Sequence, residues 1–332
     1  MPAVRPTFHP SERPILVFVI VFVGLVAGTV AAWMTVPGFS GQVRNIQLAY
    51  RPPGGDYYLA HDHGGHIDHH VLYFGLDPEV TAQLKAARVL FLGNSRLMFA
   101  LRSRVLEPYF AARGLDYYVL GFGFREGDAF PLELIRRYDL RPDLVVVNAD
   151  GFFGAGLSPW ARRVVRDTPF GAWKRQVEGE VGHEARRVVH QLAPNWIDLY
   201  GRPGFDVGRE FIAYRSRANG SWFVSPWPDP VMRVTDTNLH VPIGPRVRDA
   251  ARAFQAELAA RGSRLVLTFV PTPEPQGDWA ETVSRLLDVP LVAPDVDGLT
   301  SHDGSHLSEE SAVIWSESFL DALTPYLPPA TP

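Results

Sequence analysis

Cysteine is absent from this 332-residue chain, so covalent chemistry would have to run through hydroxyl, imidazole and carboxylate groups. Two short segments carry such groups, and a third offers an amide beside them. Gly93-Asn94-Ser95-Arg96 places a serine directly after an apolar run and before a helical pattern. A hydroxyl there would stand at the carboxyl edge of a strand, beside a helix N-terminus. Ser301-His-Asp-Gly-Ser-His-Leu-Ser308 sets Asp303 three positions before His306. That spacing lets a carboxylate orient an imidazole from the same loop and stabilise the imidazolium formed when it takes a serine proton. Asn148 ends Val145-Val-Val-Asn148 and offers an amide donor at a second strand end. Each segment also has an ordinary reading. Gly-Asn-Ser is common helix-capping chemistry, Asp-x-x-His a solvated loop pair, and Asn148 a turn residue. Ser308, followed by Glu309 and Glu310, is itself a good N-cap.

Other polar groups lie near these. Arg96, next to the serine, could hold an anionic substrate or pair with Asp150; an ion-paired or solvent-facing arginine is the ordinary alternative. His61, His63, His66, His69 and His70, with Asp62 and Asp68 among them, are dense enough to raise zinc or copper. The expectation here is instead a polar loop lining the catalytic mouth or packing on the core. No metal or cofactor is assigned.

These residues can act together only if regular elements bring them to one edge. The pattern predicts a helix over 78–87, a buried strand over 88–92, a helix over 97–113, a strand over 117–120, a helix over 128–138 and a strand over 143–147. Later come a helix over 245–261 closed by Gly262, strands over 265–270 and 289–292, and a helix over 308–323. Continuous apolar strands alternating with helices predict an α/β fold in three layers around a parallel sheet, with the site at the strands' carboxyl ends.

Residues 154–240 break the rhythm and read as an insertion, a lid or a substrate platform, with one long helix around 173–192. Arg162, Arg163, Arg166, Lys174, Arg175, Arg186 and Arg187 make it basic, with Trp160 and Trp173 interleaved and Trp222 and Trp227 nearby. Contact with anionic lipid or an acidic glycan is one reading. A solvated helix face balanced by Glu178, Glu180 and Glu184 is the other.

The stretch 15–36 carries no charge and, at ~1.5 Å rise per residue, is long enough to span a hydrocarbon core of ~30 Å. Arg5 and Arg13 precede it and favour a cytoplasmic tail over 1–14. The expectation is a single-pass anchor, with a linker and His-rich lead-in over 37–77 and the main domain over 78–327. A cleaved signal peptide competes, since residues 30–32 are small, but apolar character continues past them. The formal net charge of -4 gives no reason to expect nucleic acid.

In these motifs the chain resembles the SGNH, or GDSL-like, hydrolase superfamily. There a Gly-Asp-Ser follows the first core strand, a glycine the second and an asparagine the third, and Asp-x-x-His precedes the last helix. Here Gly93-Asn94-Ser95 stands in the first place, with Asn for Asp, Asn148 in the third and Asp303 to His306 in the last. Gly121-Phe-Gly-Phe-Arg-Glu-Gly127 offers several glycines for the second; Gly127 is favoured, with Gly123 as alternative. The resemblance covers 86–150 and 245–325. It implies a flavodoxin-like α/β/α fold, Ser95 as nucleophile, His306 as base, Asp303 as its orienting carboxylate, and an oxyanion hole made by the Ser95 amide, the second-block glycine and Asn148.

Together with the apolar segment, the resemblance implies an esterase or O-acyltransferase at the bacterial cytoplasmic membrane. Its extracytoplasmic domain would act on an acyl ester of an envelope or exported polysaccharide, without a cofactor, in some systems beside a membrane-embedded acyltransferase. A lipase or thioesterase of the same fold, and a glycan-binding or assembly protein without activity, are the rivals.

Overall fold

The computed structural model describes residue 24 and residues 56–62, 65–123, 126–192, 212–224, 232–234, 243–273 and 278–330. Apart from Gly24, the segment 15–36 read as a membrane span lies outside the described residues. Among the described residues no helix is long and apolar enough to cross a membrane.

In chain order the elements are β1 (Tyr57–Asp62), β2 (Gly65–His66), α1 (Ile67–Phe74) and α2 (Pro78–Ala86), then β3 (Val89–Gly93), α3 (Ser95–Ala100), α4 (Ser103–Ala111), β4 (Tyr117–Gly121), α5 (Ala129–Arg137) and β5 (Leu144–Asn148). The insertion follows as α6 (Pro159–Val165), α7 (Pro169–Leu192), β6 (Ala213–Ser216), β7 (Trp222–Val224) and β8 (Met232–Arg233). The chain closes with α8 (Pro245–Ala260), β9 (Arg264–Thr268), α9 (Trp279–Leu287), β10 (Leu291–Val292), β11 (Thr300–Ser301) and α10 (Glu309–Leu323).

A five-stranded parallel sheet runs β10-β9-β5-β3-β4. Counting only these strands along the chain, the order is the 2-1-3-4-5 of flavodoxin-like folds, whose winding reverses between the first and third strands. The reversal opens a crevice between the carboxyl ends of β3 and β5. Both faces of the sheet are covered, which is why its strands read as unbroken apolar runs. Leu90, Leu92, Val145 and Val147 pack with Phe130 and Leu134 of α5, Phe254 of α8 and Val283 of α9. Val89, Phe91 and Val146 pack on the other face with Phe110 of α4 and with Trp315 and Phe319 of α10, whose rings stack 4.9 Å apart.

The helix predicted over 97–113 is two helices. Leu101 and Arg102 are extended, and Ser316 on α10 supplies partners at the break: its hydroxyl donates to Ala100 O (2.6 Å) and accepts from Arg102 N (3.2 Å). A tertiary contact ends a helix whose local sequence would continue it. α7 begins earlier than predicted because Thr168 Oγ1 accepts from Gly171 N (3.1 Å) and Pro169 suits a first helical turn. α9 was not anticipated.

In the lead-in, read from the sequence as a linker and His-rich segment, the described residues from 56 onward form regular elements. β1 pairs antiparallel with β6, and with β2 and β7 they form a four-stranded accessory sheet, β2-β1-β6-β7. The insertion and the lead-in are thus one unit, with α1 packed against both α6 and α7.

Candidate active site

Ser95 is the first residue of α3, and Asn94 caps that helix through Oδ1, which accepts from Arg96 N at 3.0 Å. Its Nδ2 donates to Asp150 Oδ2 (3.1 Å) and more weakly to Asp150 O (3.4 Å). An aspartate at position 94 could cap equally well but could not donate to Asp150. The departure from Gly-Asp-Ser is therefore matched by a carboxylate on the neighbouring strand's exit.

The other half of the site comes from the turn before α10. Ser301 Oγ accepts from Gly304 N (2.8 Å), and Gly304 takes the left-handed conformation (φ +83°) that the turn requires. Asp303 Oδ1 accepts from the backbone amides of Ser305 and His306, both at 2.8 Å. Its Oδ2 lies 2.6 Å from His306 Nδ1. His306 Nε2 lies 2.9 Å from Ser95 Oγ. Burial would raise the Asp303 pKa, but the bond and charge of His306 and the two amides outweigh it and hold the carboxyl below its usual range. With Asp303 ionised, Nδ1 of His306 carries the proton and Nε2 faces the serine as acceptor.

His306 is also held by rings. Phe99 of α3 packs on it at 4.4 Å, and His302 stacks nearly parallel at 5.6 Å. Burial lowers the His302 pKa against the opposing charge of Asp303, so its ring is a neutral packing surface. Its Nδ1 donates to Leu307 O at 3.2 Å. Sequence reading did not assign His302 a part.

Asn148 is buried at the end of β5. Its Oδ1 accepts from Val270 N at 3.2 Å, which turns the amide nitrogen towards Asn94 Oδ1, 3.5 Å away. The Asn148 amide nitrogen is thus turned towards the residue that precedes Ser95. The two second-block glycines differ in place. β3 and β4 pair with Gly93 opposite Gly121, and Phe122 N donates to Gly93 O (3.1 Å). Gly123 thus follows Gly121 by two positions, as Ser95 follows its partner Gly93. Gly127 is packed elsewhere: a Cβ there would lie 2.5 Å from Phe152 O and 2.7 Å from Ala155 Cβ.

Arg96 and Asp150 do meet, Nη1 to Oδ2 at 2.7 Å, and Arg96 Nε donates to Ser305 Oγ at 3.1 Å. Among the described side chains, those of the histidine cluster do not converge. His63 lies outside the described residues, and His61 belongs to β1. His70 Nε2 faces Asp167 at 3.4 Å. His69 is buried between Asp68 (Nδ1 to Oδ1, 2.9 Å) and Glu126 (Nε2 to Oε2, 3.0 Å). Among the described residues, the metal-ligating side chains that come together are His302, Asp303 and His306, where the shortest approach is the Asp303–His306 hydrogen bond.

His69 belongs to a buried chain of alternating charge that the sequence did not reveal. Arg215 of β6, fully buried, donates to Asp68 Oδ2 (3.0 Å), to Val119 O (3.3 Å) and to Gly121 O at the end of β4. Glu126 accepts from the hydroxyl of Ser158 (2.5 Å), which caps α6. Burial alone would lower the His69 pKa, but its bonds to Asp68 and Glu126 raise it to about 9. A desolvated series of this kind is tolerable only because opposite charges alternate along it and each is hydrogen-bonded. It ties the accessory sheet to the β4 exit loop, which reaches Glu126 through a bond from Glu126 N to Gly123 O (3.3 Å).

No protein-family model and no curated protein sequence matches this chain. Among solved structures, a GDSL-like lipase from Bacteroides thetaiotaomicron VPI-5482 is similar at 13% identity and a TM-score of 0.34, over 77% of this chain and 99% of that one. A likeness of that degree carries no argument, and the chemistry of the site is read from its own geometry.

Proposed function

We propose that this chain is a serine hydrolase or acyltransferase of the SGNH type, working on ester-linked acyl groups. The observation that carries the reading is the continuous relay from Asp303 through His306 to Ser95, at 2.6 and 2.9 Å, set in the crevice where the sheet's winding reverses. Ser95 Oγ adds to an acyl carbonyl while its proton passes to His306 Nε2. The tetrahedral oxyanion is met by the Ser95 amide, the Asn148 side chain and a second amide, which we assign to Gly123 in preference to Gly127 because Gly123 lies as far past Gly121 as Ser95 lies past its partner Gly93, whereas Gly127 packs on Phe152 and Ala155. Collapse expels the alcohol, which takes the proton from His306, and leaves an acyl-serine. Water or a sugar hydroxyl then gives its proton to His306 and attacks the acyl carbon, releasing a carboxylic acid or a new ester and restoring Ser95.

The substrate we propose is an O-acylated polysaccharide of the cell envelope or one being exported. The support is the uncharged segment 15–36 of the sequence, which would hold the domain at the outer face of the cytoplasmic membrane. An inactive scaffold would have no need to keep the relay at hydrogen-bonding distance.

The test is turnover of an acetyl ester by the protein beside Ser95→Ala, repeated with a glycan hydroxyl acceptor, together with labelling by a fluorophosphonate. Loss of turnover and of the Ser95 adduct in the variant is the expected result. Equal rates in the two proteins would remove Ser95 from the mechanism.

A further inference from the structure

The Gly123 N–H can meet an oxyanion only if the peptide that joins it to Phe122 is held in place. Part of the grip comes from outside the central sheet. Arg215 on β6, fully buried, donates to Val119 O (3.3 Å) and to Gly121 O, the last carbonyl of β4. From the turn after β6, Asn219 O accepts from Val119 N at 2.8 Å. The insertion thus takes both backbone groups of Val119 and the carbonyl two residues before Gly123.

Phe122 is held in its turn. Its amide donates to Gly93 O at 3.1 Å, two positions before Ser95. Its buried ring lies 5.3 Å from the Arg215 guanidinium and 4.6 Å from the His69 ring. Beyond the glycine, Gly123 O accepts from Glu126 N (3.3 Å), and Glu126 Oε2 faces His69 Nε2 at 3.0 Å. Asp68 joins the two grips: Oδ2 accepts from Arg215 at 3.0 Å, and Oδ1 faces His69 Nδ1 at 2.9 Å. Both ring nitrogens of His69 face carboxylate oxygens, so both donate only when the ring is an imidazolium. Arg215, Asp68, His69 and Glu126 then alternate in sign and cancel in charge.

Stability does not account for such a series. Apolar side chains of equal volume hold a core as well as a buried ionic group, or better. They could not donate to Gly121 O, nor fix the direction in which the chain leaves β4. Charge-assisted hydrogen bonds carry that directional information.

We infer that Arg215 and His69 are positioning residues for the oxyanion hole: one from the accessory sheet and one from α1, they hold Phe122 so that the Gly123 N–H meets the oxyanion formed on attack by Ser95. This role rests on the ester chemistry proposed for Ser95 and on Gly123 as its second amide donor. It gives the insertion and the lead-in a part in the reaction, although neither contributes an atom to the relay.

The test removes the ion pair as a unit. Arg215→Met alone leaves the series one positive charge short and should lower the urea midpoint. Adding Asp68→Asn restores the balance, keeps an acceptor for His69 Nδ1, and should recover most of that loss. Turnover of an acetyl ester is then measured per folded molecule of the full chain. In the double variant kcat is expected to fall about 10- to 100-fold with KM within about twofold. Affinity for an alkyl trifluoromethyl ketone, whose hemiketal on Ser95 carries the oxyanion, should fall by the same factor. Arg215→Lys, which keeps the charge but not the fork, should fall between, and it serves if the double variant does not fold. Hydrogen–deuterium exchange reads the loop itself: the amides of Phe122 and Gly123 should exchange at least about tenfold faster in Arg215→Lys, with those of β9 unchanged. Turnover retained in Ser95→Ala would strike the serine mechanism and this role with it. With Ser95→Ala inactive, a parent-like kcat in the Arg215 variants, or a kcat loss without the matching loss of ketone affinity, would overturn this role alone. Unchanged exchange at Phe122 and Gly123 would overturn it whatever the chemistry.

Discussion

Arg96 Nε donates to Ser305 Oγ at 3.1 Å, so the residue that follows Ser95 is bonded to the residue that precedes His306. The same guanidinium reaches Asp150 beyond β5. One side chain in the first turn of α3 thus links the turn before α10 to the exit of β5, around the 2.9 Å approach of Ser95 to His306.

Removing that clamp should misplace the reacting pair without removing either partner. Arg96→Ala is expected to lower kcat about 10- to 100-fold with little change in KM, since displacements of ~1 Å cost rates of that order. Arg96→Lys should fall between, because an ammonium can pair with Asp150 but lacks the fork that also serves Ser305. Steady-state kinetics on an acetyl ester check this, and an unchanged kcat in Arg96→Ala would leave the clamp without a role.

Asp303→Asn keeps the shape of the turn but presents an N–H to His306 Nδ1, favouring the tautomer in which Nε2 carries the proton and cannot accept one. A loss in kcat on the order of 10⁴-fold is expected, with the circular dichroism spectrum retained. A loss under tenfold would show that Asp303 does not set the tautomer.

Asn148 and Gly127 should separate chemistry from packing. Asn148→Ala removes a donor from the crevice and is expected to cost about 100- to 1000-fold in kcat. It also strands the Val270 amide, for about 1–3 kcal/mol of stability. Gly127→Ala drives a methyl against Phe152 O and should cost about 1–3 kcal/mol, while kcat per folded molecule stays near the parent value. Urea unfolding alongside kinetics reads both. A specific loss of kcat in Gly127→Ala would return the second amide to Gly127.

His69 predicts a pH dependence of folding. Its native pKa, raised to about 9, exceeds the ~6.5 of an unfolded histidine. The native state therefore binds the extra proton, and the stabilisation is complete below pH ~6.5 and lost as pH rises through about 9. For a side chain this buried the span is on the order of 3 kcal/mol. Urea midpoints measured from pH 6 to 9.5 should fall across that window in the parent protein, and the slope should flatten in His69→Gln. A flat parent profile would mean that His69 is neutral between Asp68 and Glu126.

What could be read from the sequence follows a physical line. β3, β4, β5 and β9 are buried on both faces, so their own residues announce them, and the serine and Asp-x-x-His are legible because their chemistry is local in type and spacing. The break at Leu101 depends on Ser316, and β1 depends on β6, neither of which leaves a mark nearby. Arg215 is the clearest case. A lone arginine in Ala213-Tyr-Arg-Ser216 looks like a surface residue until Asp68, 147 positions away, is placed beside it.

The pairing of β1 with β6 also sets a timetable. As the chain is synthesised, β1 and Asp68 emerge roughly 150 residues before the strand and the arginine that complete them, by which time the first three strands of the central sheet can already be in place. Until then β1 is an open edge, and Asp68 and His69 must stay in water. Closure of the accessory sheet is therefore a long-range event. The last two strands of the central sheet and the turn that carries His306 emerge later still, so competence at Ser95 waits for them even after Arg215 has fixed the β4 exit loop.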